Sequence, residues 1–151
     1  MKKICILSDT HGLLRNEVTS ELMQSDVIIH AGDIDTNAVL QKLKQFGTLY
    51  AVCGNNDRFC GKLLPKSLFI QIEEVRFWIQ HNQKDIPKNL TDADIVVYGH
   101  SHVYAAEKSD GILYLNPGSC GKRRFGLGLS FCRMVVDGRS YRYERIIIDQ
   151  E

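Results

Sequence analysis

The sequence predicts an α/β fold, a four-layer αββα sandwich in which two packed, mixed β-sheets are flanked by helices. Two patterns support this prediction. In the first half of the chain, short apolar runs alternate with helical patterns, which is typical of a largely parallel sheet. In the second half, apolar runs are separated by short turns such as Asp137-Gly138, a strong hairpin signal. The chain has 151 residues, 44% of them hydrophobic and 25% charged, so we expect one domain spanning residues 1–151.

The first half has the pattern β-α-β-α-β. Strands are predicted at residues 4–8, 27–31 and 49–52, and helices at residues 16–24 and 37–46. Thr36 is a suitable N-cap for the second helix because its hydroxyl can accept a hydrogen bond from the first turn. Gly47 follows the last apolar residue of that helix and is predicted to end it.

The second half contains three predicted hairpins and one further strand. The hairpins pair residues 68–72 with 75–80, 105–108 with 112–115, and 127–136 with 139–148, and the strand lies at residues 95–98. We therefore expect the second half to be antiparallel. Residues 83–91 are polar and contain Pro87, so we expect a short helix there at most.

Composition excludes several classes of function. The net charge is +1, which gives no support for a nucleic-acid or membrane partner. There is no signal peptide and no apolar run near the roughly 20 residues of a membrane span, so we expect a cytoplasmic protein. The five cysteines include no CxxC pair, and we expect all of them to be free thiols: Cys5, Cys53, Cys60, Cys120 and Cys132.

Polar side chains that can bind metal follow four of the predicted strands. The four groups are Asp9-Thr10-His11, Gly32-Asp33, Gly54-Asn55-Asn56-Asp57 and Gly99-His100-Ser101-His102, and His81 follows the first hairpin. Carboxyl ends of strands meet at one edge of an open α/β sheet, and residues i and i+2 of an extended chain point to the same side. Carboxylate and amide oxygens mixed with imidazoles suit Mn²⁺, Fe or Zn²⁺. The sequence therefore predicts a metal site, with Asp33 as the carboxylate best placed to bridge its parts.

The order of these motifs resembles that of the calcineurin-like metallophosphoesterases. The resemblance covers nearly the whole chain, and Asn116-Pro117-Gly118-Ser119 is similar to the small bacterial and archaeal phosphodiesterase branch. It implies the metallo-dependent phosphatase fold and a dinuclear, metal-dependent phosphoesterase that hydrolyses phosphodiesters with a metal-bridging hydroxide. It also implies two divalent ions per chain; we expect manganese first, with nickel, iron, zinc or magnesium as alternatives.

The resemblance further implies roles for individual residues. One metal would be held by Asp9, His11, Asp33 and His102, the second by Asn55, His81 and His100, and Asp33 would bridge the two and position the hydroxide. Asn56, which stands where many relatives have histidine, and Arg123 are expected to line the substrate site. We assign His30 to a structural or supporting role, and Asp35 and Asp57 to the loops or to support of the ligands.

Two other classes of function stay open on these grounds. The scaffold subunit of retromer has this fold but eroded metal motifs, so a non-catalytic scaffold is the main alternative; the filled ligand positions here favour an enzyme. A nuclease is disfavoured because the chain lacks a DNA-binding extension. The expected partner is a small phosphoester substrate, with no membrane, no specific nucleic acid and a homo-oligomer left open.

Overall fold

The computed structural model describes residues 1–58, 63–123 and 126–148, and these residues form two five-stranded sheets. In chain order the elements are β1 (Lys2–Leu7), α1 (Asn16–Leu22), β2 (Val27–His30), α2 (Asn37–Phe46), β3 (Thr48–Ala51), β4 (Ser67–Ile72), β5 (Val75–Gln80), β6 (Ile95–Val97), β7 (Ala105–Ser109), β8 (Ile112–Asn116), β9 (Leu129–Asp137) and β10 (Ser140–Ile148). A single 3-10 turn, Gln83–Asp85, lies between β5 and β6.

The first sheet has the strand order β10-β9-β1-β2-β3. Strands β1, β2 and β3 are parallel, as the β-α-β-α-β pattern predicts, and β9 is antiparallel to β1. All four residues of β2 are buried, which explains its continuous apolar character. The carboxyl ends of the three parallel strands therefore lie side by side at one edge of the sheet.

Both predicted helices are present and pack against the first sheet. The Thr36 hydroxyl accepts a hydrogen bond from the backbone N–H of Val39 at 3.3 Å, which confirms the predicted N-cap of α2. Leu40 and Leu43 of α2 pack in the same buried cluster as Ile28 of β2. Helix α1 is slightly shorter than predicted.

The second sheet has the order β4-β5-β6-β8-β7. The hairpins β4–β5 and β7–β8 are antiparallel as predicted, but β6 is parallel to both β5 and β8, so the prediction of an antiparallel second half is wrong there. The reason is the long connection at residues 81–94, which is long enough for a crossover back to the start of the sheet. The third hairpin, β9–β10, leaves this sheet altogether and completes the first one.

The core lies between the two sheets, as the αββα prediction requires. Ile4, Ile6 and Ile29 of the first sheet share one buried cluster with Phe77 and Ile79 of the second. The outer face of the second sheet is covered by the connection at residues 81–94, which contributes one 3-10 turn in place of a full helix. The predicted fold of two mixed sheets with helices outside is confirmed, with a thin outer layer on the second sheet.

The cysteines depart from the sequence-based expectation at one position. Cys5, Cys120 and Cys132 are buried free thiols. Cys53 is disulfide-bonded, so the prediction of a free thiol there is wrong. Spacing along the chain does not report which sulfur atoms a loop brings together in space. The prediction for Cys60 lies outside the described residues.

No helix within residues 1–58, 63–123 and 126–148 is long and apolar enough to cross a membrane.

Candidate metal centre

The strand ends of both sheets converge on one cavity of about 290 Å³. Six of the predicted site residues line it, together with Ser101: His11, Asp33, Asn55, Asn56, His100 and His102. Asp9 and His81 lie behind them and are buried. The structure thus brings all seven predicted metal ligands to one place.

The loops that carry these ligands have an unusual backbone. Positive φ angles occur at Asp9 (56°), His11 (47°), Asp33 (62°), His100 (73°) and His102 (66°). This left-handed conformation costs a residue with a Cβ roughly 1–2 kcal/mol. Such strain is found where the surrounding structure fixes a functional geometry. Each strand end here turns sharply and aims its side chain at the cavity.

Two glycines of the motifs are explained by close approach. A Cβ on Gly54 would collide with the backbone and carboxylate of Asp33. A Cβ on Gly99 would collide with the Ser8 hydroxyl and would lie 2.7 Å from the Asp9 carboxylate. The loops of neighbouring strands therefore pack against each other at the ligands, and larger residues at these positions would push the carboxylates away.

One group of ligand atoms is formed by Asp9, His11 and His102, whose atoms lie within 4.8 Å of one another. The Oδ1 atom of Asp9 is 3.6 Å from Nε2 of His11 and 3.4 Å from Nε2 of His102. The two Nε2 atoms are 3.3 Å apart. We call this the first cluster.

The second cluster is formed by Asp9, Asp33 and His81. The Oδ2 atom of Asp33 lies 3.2 Å from Nε2 of His81 and 3.7 Å from Nε2 of His11, so this oxygen stands between the two clusters. The His100 ring packs edge-on against His81 with 5.2 Å between ring centroids. Asn55 and His100 line the cavity beside this cluster rather than belonging to its inner group.

Hydrogen bonds on the far side of two imidazoles orient their metal-binding nitrogens. Nδ1 of His81 lies 2.8 Å from the Ala31 carbonyl oxygen, which can only accept, so this nitrogen donates. Nδ1 of His11 lies 3.0 Å from the Asp35 carboxylate and donates in the same way. In the neutral form of each ring, which is the form that binds a metal, Nε2 is therefore left as an acceptor facing the cavity. A carboxylate or carbonyl behind a histidine is the usual support of a metal ligand.

These inward-facing atoms fit a cation. Nε2 of His81 and Oδ1 of Asp9 are buried and have no hydrogen-bond partner in the described part of the chain. Nε2 of His81 lies 3.2 Å from Oδ2 of Asp33, and Oδ1 of Asp9 lies 3.6 Å from Nε2 of His11; acceptor atoms this close repel unless positive charge lies between them. Carboxylate oxygens with imidazole nitrogens and no thiolate suit a divalent metal, so the residues present fit the metal centre that the motifs predict.

The same preference for positive charge is seen in the pKa values of the ligands. Burial opposes ionisation of Asp9 and Asp33, but the neighbouring imidazoles outweigh it and hold the pKa of both carboxyls below the usual range. Asp9 raises the pKa of His11. Burial works against a protonated His81, yet Asp33 beside it raises the pKa of that ring overall. The centre therefore has ionised acids that attract either protons or a metal.

Asp57 fixes the loops around the second cluster. Its buried carboxylate accepts hydrogen bonds from three backbone N–H groups, those of Asp33 (2.9 Å), Asp35 (2.8 Å) and Gly54 (2.9 Å). The expectation that Asp57 and Asp35 are supporting acids agrees with these contacts and with the Asp35–His11 pair. A single carboxylate thus links the loop after β2 to the loop after β3.

His30 has a structural role. Its Nδ1 accepts a hydrogen bond from the N–H of Gly32 at 3.0 Å, and its Nε2 lies 3.0 Å from the Thr10 hydroxyl. Burial lowers the pKa of this ring to about 3, so it is neutral. The ring ties the loop after β1 to the loop after β2 without facing the cavity.

The residues expected to meet the substrate lie in different places. Asn56 is exposed at the cavity wall, and its backbone N–H donates to Oδ1 of Asp33 at 2.9 Å. Arg123 is exposed and is not among the residues that line the cavity in the described structure. Its neighbour Arg124 lies outside the described residues.

Residues behind the ligands were missed or only partly foreseen. The Ser8 hydroxyl donates to Oδ2 of Asp9 at 2.7 Å, and the Ser119 hydroxyl donates to the Asp9 carbonyl at 3.0 Å. The side-chain amide of Asn116 donates to the Gly99 carbonyl at 3.2 Å. The segment Asn116-Pro117-Gly118-Ser119 therefore supports the ligand loops from behind. The position of Ser8 directly before the motif acid was the available signal.

Comparison with known proteins gives consistent findings. A family model described as the calcineurin-like phosphoesterase superfamily domain matches residues 1–139. A "Probable metallophosphoesterase" of Mycoplasma pneumoniae is 32% identical over 133 residues, covering 79% of this chain and 79% of that protein. A "Phosphodiesterase" of Methanocaldococcus jannaschii is 29% identical over 168 residues, covering 97% of this chain and 99% of its own length.

The fold is shared with proteins of much lower sequence identity. A crystal structure of Vps29 complexed with Zn²⁺, from Entamoeba histolytica, superposes with a TM-score of 0.73 at 18% identity. The match covers 96% of this chain and 98% of that one. At this identity the likeness shows the fold alone.

Proposed function

This chain belongs to the calcineurin-like phosphoesterase superfamily, and on that premise we propose that it is a dinuclear metal-dependent enzyme that hydrolyses phosphodiesters. The observation that carries the proposal is the set of unpaired acceptor atoms at the cavity floor. Oδ1 of Asp9 and Nε2 of His81 are buried without a hydrogen-bond partner in the described structure, and Oδ2 of Asp33 lies between the two clusters.

The proposal assigns each ligand to one of two divalent ions. Asp9, His11, Asp33 and His102 would hold the first, Asn55, His81 and His100 the second, and Asp33 would be shared. When bound, two such ions make water acidic enough to yield hydroxide near neutral pH and stabilise negative charge on the phosphoryl oxygens. We propose manganese first, with nickel, iron, zinc or magnesium as alternatives.

The chain's own residues set the conditions for the reaction. The hydrogen bonds that Nδ1 of His11 donates to Asp35 and Nδ1 of His81 donates to the Ala31 carbonyl hold the two rings in one orientation before any ligand arrives. Asp57 holds the backbone of Asp33. Preorganised ligands of this kind reduce the reorganisation that a reaction requires.

Asn56 limits the range of leaving groups that the centre handles well. Its side chain stands at the cavity wall, where an imidazole in the same place would donate a proton to the departing oxygen. A carboxamide does not do so at neutral pH. General acid catalysis contributes about 10²–10⁴-fold, so we expect aryl diesters to react readily and alkyl monoesters to react weakly or not at all.

The alternative is a non-catalytic scaffold similar to the retromer subunit. The likeness to Vps29 keeps this alternative open, and the zinc in that structure means that metal binding alone does not separate the two functions. Two observations favour the enzyme here: every ligand position is filled, and a relative that matches nearly the full chain is named a phosphodiesterase.

The test is hydrolysis of bis(p-nitrophenyl) phosphate with Mn²⁺, Ni²⁺, Fe²⁺, Zn²⁺ or Mg²⁺ added to metal-stripped protein. We expect metal-dependent release of p-nitrophenol, lost in Asp33→Asn. The matched control is Asp110→Asn, an exposed acid in the β7–β8 turn, which should keep the wild-type rate. If the protein binds metal but does not hydrolyse the diester with any of the five metals, the scaffold function is favoured.

A further inference from the structure

A second cavity, of about 390 Å³, opens beside the metal centre. We call it the side cavity. It shares Asn55 with the metal-centre cavity and is also lined by His81, and its other polar walls are Lys66, Gln80, Asn82 and Asp85. Because the two cavities meet at a predicted metal ligand, a phosphoester bound at the centre would extend one of its substituents into the side cavity.

Two amides in this wall are oriented by hydrogen bonds to the protein. Oε1 of Gln80 accepts a hydrogen bond from the indole N–H of Trp78 at 2.9 Å. Oδ1 of Asn82 accepts one from the backbone N–H of Lys84 at 3.1 Å. Each oxygen therefore already accepts one hydrogen bond from the protein, and neither NH₂ group donates to another residue in the described part of the chain. The amides are left as hydrogen-bond donors for a ligand.

The charged groups of the wall complement these amides. Lys66 adds a cationic donor, and Asp85 adds a carboxylate that only accepts. Neither forms an ion pair with another described residue. Among the described residues that line the side cavity, the one aromatic ring is the imidazole of His81, which packs against His100 and is a predicted metal ligand; no Phe, Tyr or Trp is present there for a base or a phenyl group to stack on. Lys66, Gln80 and Asn82 thus offer donors, and Asp85 offers an acceptor.

We propose that the side cavity binds a hydroxylated substituent, a polyol or a sugar, of the phosphoester whose phosphoryl group lies at the metal centre. Hydroxyl groups both donate and accept, so they can pair with Asp85 and with the Gln80 and Asn82 amides at once. The inference deepens the proposed function and rests on it. The volume lies within the range of about 300–1,000 Å³ typical of small-molecule sites.

An apolar substituent fits this wall poorly. An alkyl or acyl chain would cover the free NH₂ groups and the Asp85 carboxylate without replacing the hydrogen bonds that they make to water. Sites built to bond a hydroxyl discriminate strongly against analogues that lack it. Because Lys66 and Asp85 are exposed, we expect a smaller discrimination here, of about tenfold.

The test compares two phosphomonoesters with the same three-carbon skeleton, glycerol 3-phosphate and n-propyl phosphate. Calorimetric titration of the Mn²⁺-loaded protein should give a Kd about tenfold lower for glycerol 3-phosphate. Since both probes carry the same charge, the ratio of the two Kd values cancels general effects on phosphate binding.

Three variants locate the preference. Gln80→Leu and Asp85→Leu should each reduce the Kd ratio to about threefold or less. Asp85 is exposed, so its replacement keeps the test valid even if Gln80→Leu, which frees the Trp78 indole, fails to fold. Gln71→Leu, an exposed glutamine on β4 that does not line the side cavity, should keep the full ratio.

The outcomes separate this inference from the proposed function. Equal Kd values for the two probes, or no measurable binding of either, would overturn the assignment of the side cavity even if the aryl diester is hydrolysed. A preserved preference for glycerol 3-phosphate without any hydrolysis of diesters would support the side cavity and overturn the proposed catalysis.

Discussion

The ligand sets that we propose for the two metals differ in how deeply the fold encloses them. In the first set, Asp9, His11 and His102 are 0%, 3% and 9% exposed. The second set combines buried Asp33 and His81 with Asn55 and His100, which are exposed at the cavity.

This difference follows from where the loops come from. Asp9 and His11 follow β1, and His102 lies in the loop after β6. Asn55 lies in the loop after β3 and lines both the metal-centre cavity and the side cavity. A buried, pre-oriented set of ligands loses less entropy on binding, so we expect the first metal to be held tightly and the second to exchange.

The largest expected effect is that of Asp33→Asn, because Asp33 is the ligand that the two proposed metal sites share. We expect elemental analysis after reconstitution to show that both metals are lost. Hydrolysis of the aryl diester should fall by at least about 10³-fold, since both charge-stabilising ions are removed. Retention of one full metal equivalent would show that Asp33 serves a single site.

His100→Ala removes an exposed ligand of the proposed second metal site and should leave the first site intact. We expect the metal content to fall from two ions to one and the rate to fall about 10²-fold. A titration of metal-stripped protein followed by elemental analysis checks this. Loss of both ions would contradict the difference in enclosure that we draw from the burial of the ligands.

Asp35→Asn tests how much a residue that orients a ligand of the first cluster contributes to metal affinity. It removes the carboxylate charge behind His11 while keeping the shape of the side chain. Replacement of such partners costs about 10–100-fold in metal affinity, so we expect the first site to weaken within this range and the second to stay unchanged. Competition with a chelator of known affinity measures both sites, and Asp110→Asn again serves as the control.

His30→Asn should have the smallest effect on the metals, because His30 does not face the cavity. Its effect is on stability at low pH. The pKa of the ring is about 3 in the folded protein and about 6.5 in an unfolded chain, so below pH 6.5 the unfolded state takes up a proton that the folded state does not.

The free energy of unfolding therefore falls as the pH drops from 6.5 towards 3, by up to about 1.4 kcal/mol per pH unit from this residue. Urea unfolding in the presence of a chelator, measured across this interval, should show a shallower pH dependence in His30→Asn. The Oδ1 atom of asparagine can still accept the Gly32 N–H, so the loop is expected to form. An unchanged slope would mean that His30 is not buried as a neutral ring.

Much of this molecule could be predicted from residue patterns. The strands, both helices and the three hairpins follow from apolar periodicity and from turn residues such as Asp137-Gly138. The proposed ligands follow from acids and histidines at strand ends. What the patterns do not contain is the partner of each strand: β6 is as compatible with an antiparallel neighbour as with a parallel one, and only the length of the 81–94 connection decides.

Contacts between residues that are far apart in the sequence could not be predicted from local patterns either. Asp57 accepts from three backbone groups that lie up to 24 residues away in sequence, and no periodicity marks such a residue. Cys53 likewise carried no spacing that indicates a disulfide. The ligand proposed for the side cavity depends on the hydrogen bonds that the side-chain oxygens of Gln80 and Asn82 accept, and these exist only in the folded structure.

The left-handed ligand residues have a practical consequence for heat stability. Five of the proposed metal ligands stand on backbone that the chain adopts only at a cost, so the fold without ions carries strain at its centre. An ion that binds only the folded chain raises its stability by about 2.7 kcal/mol at a hundred times its Kd. The melting temperature of this protein is therefore a label-free gauge of which metals its centre accepts, and it needs no substrate at all.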